Sequence, residues 1–275
     1  MNRITFISSA LIITGSIILA SCGDDSPSVP ETPSTAIPSL ETKGKAALPR
    51  VRISDISASG KSIITCTYDN DGAADVITDT REHETYDVTT GRYTTLTVDD
   101  GDYDDFKSYQ NLTFNEAGYL TAATIVEDRG YKAHIIGRLT ATYDAEGHII
   151  ELTVNETDGS YESVLYGWEN GNMTSVTVTE ADYRERETDV ITYTYADRPN
   201  AKGQYVYESG IGTAAAITGW LGTPSAKLPE TRTVKEHDKA PQKTAYTYTL
   251  NGDGTIATQK ATYNDMRTVT YVYKY

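Results

Sequence analysis

The sequence has little that could hold a fold together from outside. Only two cysteines, Cys22 and Cys66, occur in 275 residues, so no disulfide framework supports it. Positive charge is scarce as well. The chain carries 24 Lys and Arg against 39 Asp and Glu, for a net charge of −15, and a surface of that sign excludes nucleic acid as a partner. Phenylalanine and tryptophan are nearly absent, at 3 and 2 residues, whereas tyrosine reaches 21, every one of them beyond residue 50. The one long apolar stretch, Ile4 to Ala20, is interrupted by Ser8, Ser9, Thr14, Gly15 and Ser16. It is too short and too broken for a membrane helix of about 20 apolar residues. With 38% hydrophobic residues, the remainder is too apolar to stay unfolded.

Arg3, the apolar stretch and the small residues after it read as a secretory signal over residues 1–21. The run Leu19-Ala20-Ser21-Cys22 resembles the lipobox of bacterial lipoproteins, which implies cleavage before Cys22 and acylation (palmitate included) of that residue. Several acyl chains would anchor the protein stably, each buried methylene contributing about 0.8 kcal/mol. Asp24 and Asp25 directly follow and resemble the surface-export signal of Bacteroidetes lipoproteins. The expected location is therefore the outer membrane at the cell surface, with the lipid bilayer as a partner through Cys22. Residues 22–49 hold Pro27, Pro30, Pro33, Pro38 and Pro49, five of the nine prolines, and read as a semi-rigid tether. A single domain is expected over 50–275.

That domain reads as all-β. Strict alternation in Leu139-Thr140-Ala141-Thr142-Tyr143, Ile150-Glu151-Leu152-Thr153-Val154 and Val269 to Tyr275 marks strands with two different faces. Turn chemistry separates them at Asp69 to Gly72, Asn115 to Gly118, Asp144 to Gly147, Glu169 to Asn172 and Asn251 to Gly254. The spacing predicts a long antiparallel meander of 12–14 strands, curled into a barrel-like shell. Gly118, Gly147 and Gly171 lie 29 and 24 residues apart, each preceded by an aromatic residue before the turn, so the repeat unit is a hairpin. One short helix is expected near 211–221, stopped by Gly222 and plugging an end of the sheet. These hairpins, the helix and the run from Gly222 to Pro229 resemble a family of uncharacterised Bacteroidetes lipoproteins whose fold is described as porin-like. Single hairpins also resemble YD repeats. The resemblance implies a fold and no activity.

No G-x-S-x-G, S-x-x-K or H-E-x-x-H occurs, and neither a catalytic set, a cofactor site nor a metal set is read from the residues. Cys66 lies in a strand pattern as a small core residue. His83, His134, His148 and His237 have no second His or Cys at ligand spacing. The acidic run Asp99 to Asp105 fails the calcium-loop pattern at Asp105 and Asn111. Trp168 and Trp220, which read as sheet packing and as a seal at the end of the core, are also the candidates for stacking on a ligand. The expected function is a non-catalytic binding module for a glycan or an envelope protein. The alternatives are a hydrolase with an unrecognised carboxylate pair and an integral outer-membrane barrel.

Overall fold

The computed structural model describes residues 44–80, 84–88, 92–95, 106–128, 133–182, 185–206 and 217–275. Within them, alternating side chains form sixteen strands: β1 (Asp55–Ala58), β2 (Lys61–Tyr68), β3 (Ala74–Asp79), β4 (Glu84–Asp87), β5 (Arg92–Thr95), β6 (Phe106–Phe114), β7 (Leu120–Asp128) and β8 (Ala133–Tyr143). The second half comprises β9 (Ile149–Glu156), β10 (Tyr161–Glu169), β11 (Asn172–Ala181), β12 (Arg186–Pro199), β13 (Lys227–Lys235), β14 (Gln242–Leu250), β15 (Ile256–Tyr263) and β16 (Thr268–Lys274). Each strand pairs antiparallel with the next, and β1 closes on β16 with Asp55 opposite Lys274 and Ala58 opposite Tyr271. The meander is thus a closed barrel. It has more strands than the 12–14 expected because β1, β4 and β5 are four residues each, too short for alternation to register.

Alternation sorts the two faces cleanly. On β14, Thr244, Tyr246 and Tyr248 are buried while Ala245, Thr247 and Thr249 face out. On β16, Tyr271 and Tyr273 are buried while Thr270, Val272 and Lys274 are exposed. The interior is filled by Ile64, Leu139, Leu152, Val164, Val176 and Ile191, each with 0% exposure.

The hairpins share one turn. In Asp69 to Gly72, Asn115 to Gly118, Asp144 to Gly147, Glu156 to Gly159 and Asn251 to Gly254, the glycine N–H donates to the carbonyl of the first residue. The first residue's own N–H donates to the carbonyl just past the glycine. The glycines have φ between 82° and 93°, which favours glycine. A further copy, Tyr263 to Met266, puts Met266 at φ 64°, 79% exposed. Met266→Gly should therefore stabilise the protein by about 0.5–1 kcal/mol, the relief of the left-handed conformation less the added unfolded-state entropy. The urea midpoint measures it, and a lower midpoint would refute the strain.

The tyrosines explain the repeat. Tyr143 donates its hydroxyl to the Leu120 carbonyl at 2.7 Å, Tyr195 to Met173 at 2.6 Å, and Tyr275 to Ile256 at 2.6 Å. Trp168 Nε1 donates to Ile149 at 2.7 Å in the same way. Each acceptor is the second residue after a turn glycine. An aromatic donor fills half-buried volume and satisfies a bulge carbonyl together, which phenylalanine cannot do.

One end of the barrel is plugged. The described residues of the connection between β12 and β13 and of the segment before β1 lie across it and dock on the turn glycines. Ala47 N–H donates to Gly118, Thr223 to Gly147, and Ala226 to Gly171, each at 2.8 Å. Trp220 is 6% exposed and meets Phe114 edge-on at 5.3 Å. Of the helix expected near 211–221, residues 211–216 lie outside the described residues; Ile217 and Thr218 are helical, and a turn follows. The packed chain begins before Arg50, since Gly44 to Pro49 already lie against Phe114, Gly118 and Gly219.

Candidate functional site

The plug leaves an open cleft of about 120 Å³ between three pieces of chain distant in sequence. The segment before β1 contributes Leu48 and Arg50, the β6–β7 hairpin Tyr119, and the long connection Gln204, Tyr205 and Pro224. Its floor is fixed by hydrogen bonds. Gln204 Nε2 donates to the Tyr275 hydroxyl at 2.8 Å, and Gln204 Oε1 accepts from the Ile256 N–H at 2.9 Å. Tyr205 donates to the carbonyls of Leu221 and Gly222 at 3.0 and 3.2 Å, and burial raises its phenol well above the ordinary range. The wall is looser. Arg50 Nη2 reaches Thr223 Oγ1 only at 3.5 Å, and the Tyr119 hydroxyl lies 3.4 Å from the same oxygen. An exposed guanidinium, a tyrosine and a proline ring around a fixed polar floor suit a small polar ligand with an apolar face. A second void of about 20 Å³ lies beside Trp168 and Tyr195, room for a water molecule.

The barrel wall holds a second feature. Glu162 faces inward on β10 with 8% exposure. Burial, reinforced by the nearby charges of Glu180 and Glu156, pushes its carboxyl up to about 8. Glu180 is its cross-strand partner on β11 and is exposed. Tyr166 lies four residues further along the same face, its hydroxyl buried without a hydrogen bond among the described residues.

The residues singled out by sequence are scattered. Cys22, Asp24, Asp25, His83 and the acidic run from Asp99 to Asp105 lie outside the described residues. Trp220 is sealed in the plug, and Trp168 is held by its Ile149 bond and stacked on His148 at 4.2 Å. Both rings are engaged within the protein, Trp220 buried and Trp168 half-buried. Cys66 is buried on β2, where burial pushes its thiol up to about 11, far from a reactive thiolate. Arg50, Tyr119 and Glu162 carry no local sequence signal, since the first two meet only through the plug and the last is marked by its burial.

No family model matches the chain, and no curated protein matches it. Among solved structures, a porin-like protein from Bacteroides uniformis aligns with a TM-score of 0.50 at 15% identity, over 84% of this chain and 99% of that one. A porin-like protein from Bacteroides vulgatus aligns at 0.48 and 12% identity, over 82% and 99%. The first likeness establishes a porin-like fold. The YD-repeat resemblance finds no counterpart in these comparisons.

Proposed function

We propose that the protein is a lipid-anchored, non-catalytic binding module of the outer membrane surface, whose barrel stands in water and whose plug-end cleft takes one end of a glycan. The observation that carries this reading is that the barrel is inside-out relative to a membrane barrel. Its interior is a packed apolar core. Its outer wall carries cross-strand threonine pairs, Thr140 with Thr153, Thr194 with Thr231 and Thr249 with Thr258, at 2.6 to 2.7 Å, together with Lys61, Thr65, Lys260 and Lys274. Membrane barrels need a continuous apolar outer band, whereas Ile135, Ile150, Leu165, Leu250 and Val272 are the only exposed large hydrophobic residues on the described strands. A wall that faces water leaves membrane attachment to an acylated Cys22.

The glycan is favoured over a protein partner that would add a strand, because closure of β1 on β16 leaves no unpaired edge among the described strands. A glycan array probed with the purified protein tests the reading. Binding should change less than twofold between low and high salt and fall at least tenfold in Arg50→Ala with Tm unchanged. A basic protein partner would instead associate much more slowly as salt rises. Cys22→Ala should release the protein from membranes, and equal retention would refute the anchor. The hydrolase reading draws on Glu162 as a protonated acid opposite Glu180; glycan turnover lost in Glu162→Gln would select it over binding.

A further inference from the structure

The turn shared by the hairpins has one copy with a different chemistry. In Asp144-Ala145-Glu146-Gly147-His148, the first, third and fifth residues carry two carboxylates and an imidazole. The turn folds them onto one another: His148 Nδ1 lies 2.9 Å from Asp144 Oδ2 and 3.7 Å from Glu146 Oε2. The three ligand atoms all lie within 4.8 Å of one another, the one such group among the described residues. The copy at Asn115 to Tyr119 has the same backbone and none of these ligands.

We propose that Asp144, Glu146 and His148 form a binding site for a borderline divalent transition ion, with Zn²⁺ as its representative. A tetrahedral ion with bonds of about 2.0–2.1 Å sets its ligand atoms about 3.3 Å apart. The two separations from Nδ1 bracket that value, and rotation of the exposed Glu146 side chain closes the carboxylate–carboxylate separation, which is at most 4.8 Å. The imidazole is preorganised. Its side chain is 8% exposed, one ring face stacks on Trp168 at 22°, and the backbone N–H of His148 donates to Asp144 Oδ1 at 2.8 Å. Residue 148 also pairs with Gly222 in an isolated β-bridge. The ring cannot swing away, and its Nδ1 faces the carboxylates. Glu146 is 79% exposed, which gives the ion an entry side and room for water to complete its shell. On binding, Nδ1 gives up its proton to Nε2 or to solvent and the ion takes its place between nitrogen and carboxylate. An imidazole with two oxygens selects zinc, nickel or copper over calcium and magnesium.

The ion would also latch the plug. Thr223 donates from its N–H to the Gly147 carbonyl at 2.8 Å and from its hydroxyl to the Glu146 backbone carbonyl at 3.1 Å, so a metal that stiffens this turn stiffens the docking of the connection. The experiment is calorimetric titration of the untagged full chain with Zn²⁺, followed by melting with and without the ion. One saturable equivalent should bind, raise Tm, and be reversed by a chelator, while Ca²⁺ at equal concentration should not compete. Glu146→Gln, at a surface position, should weaken binding at least tenfold and abolish the Tm rise; Glu230→Gln, exposed on β13, should change neither. Equal Zn²⁺ affinity in Glu146→Gln, or no saturable binding by the unaltered chain, would overturn the proposal.

Discussion

Replacing Glu162 by Gln should make the protein more stable at pH 8 by about 2–3 kcal/mol while leaving it nearly unchanged at pH 5. In the unfolded chain this carboxyl has its ordinary value of 4.5, and in the barrel burial first, then Glu180 and Glu156, raise it to about 8. Between those values the folded state keeps a proton that the unfolded state has released. The folded state therefore binds more protons, and stability falls as pH rises through the window before levelling off above it. At about 1.4 kcal/mol per pH unit, the whole interval corresponds to roughly 5 kcal/mol as an upper bound. Gln keeps the shape of the neutral acid and cannot ionise, so it removes the slope while costing an amide that must be solvated in the wall. Urea unfolding at a series of pH values measures this. Parallel curves for the two proteins would show that Glu162 ionises in the folded barrel without penalty.

Much of this fold was legible because its turns are written locally. Asp or Asn followed three residues later by glycine marks where several strands end, and alternating Thr and Tyr mark their two faces. Asn200 to Gly203 obeys the same rule, whereas Glu156 to Gly159 makes the same glycine hydrogen bond with Glu in first place. The tyrosine excess was visible, but not its reason. The hydroxyls of Tyr143, Tyr195 and Tyr275 reach a carbonyl one hairpin away, and that partner is fixed by sheet register rather than by neighbouring residues. The cleft was illegible for the same cause at longer range, since Arg50, Tyr119 and Gln204 become neighbours only when the connection crosses the barrel end. Asp144, Glu146 and His148 are contiguous, but one imidazole with carboxylates two and four residues before it is not a His or Cys spacing that marks a metal site in sequence.

Gly222→Ala should destabilise the protein by about 4 kcal/mol, the largest loss expected from adding a single methyl group at the plug. Gly222 sits at φ +87°, where an L-residue costs about 1–2 kcal/mol by itself. A Cβ there would also lie 2.2 Å from the Gly147 carbonyl oxygen and 3.1 Å from the Tyr143 ring. The first of these is backbone, so no side-chain rotation relieves it; the β8–β9 hairpin and the connection must separate. Separation loses the Thr223 to Gly147 hydrogen bond, worth about 0.5–1.5 kcal/mol, and loosens Leu221, which has 0% exposure. Two further glycines divide the effect into its parts. Gly60 has φ +76° with nothing within 4 Å of its Cβ position, so Gly60→Ala should show the backbone cost alone. Gly252 has the same open space and no positive φ, so Gly252→Ala should be close to neutral. Hydrogen exchange then locates the damage: in Gly222→Ala the amides of Leu120 and Thr223, which donate to Trp220 and Gly147, should lose protection before those of β14 and β15. If Gly222→Ala costs no more than Gly60→Ala, the hairpin yields freely to the plug, and the docking of the connection on the turn glycines contributes little to holding the barrel end closed.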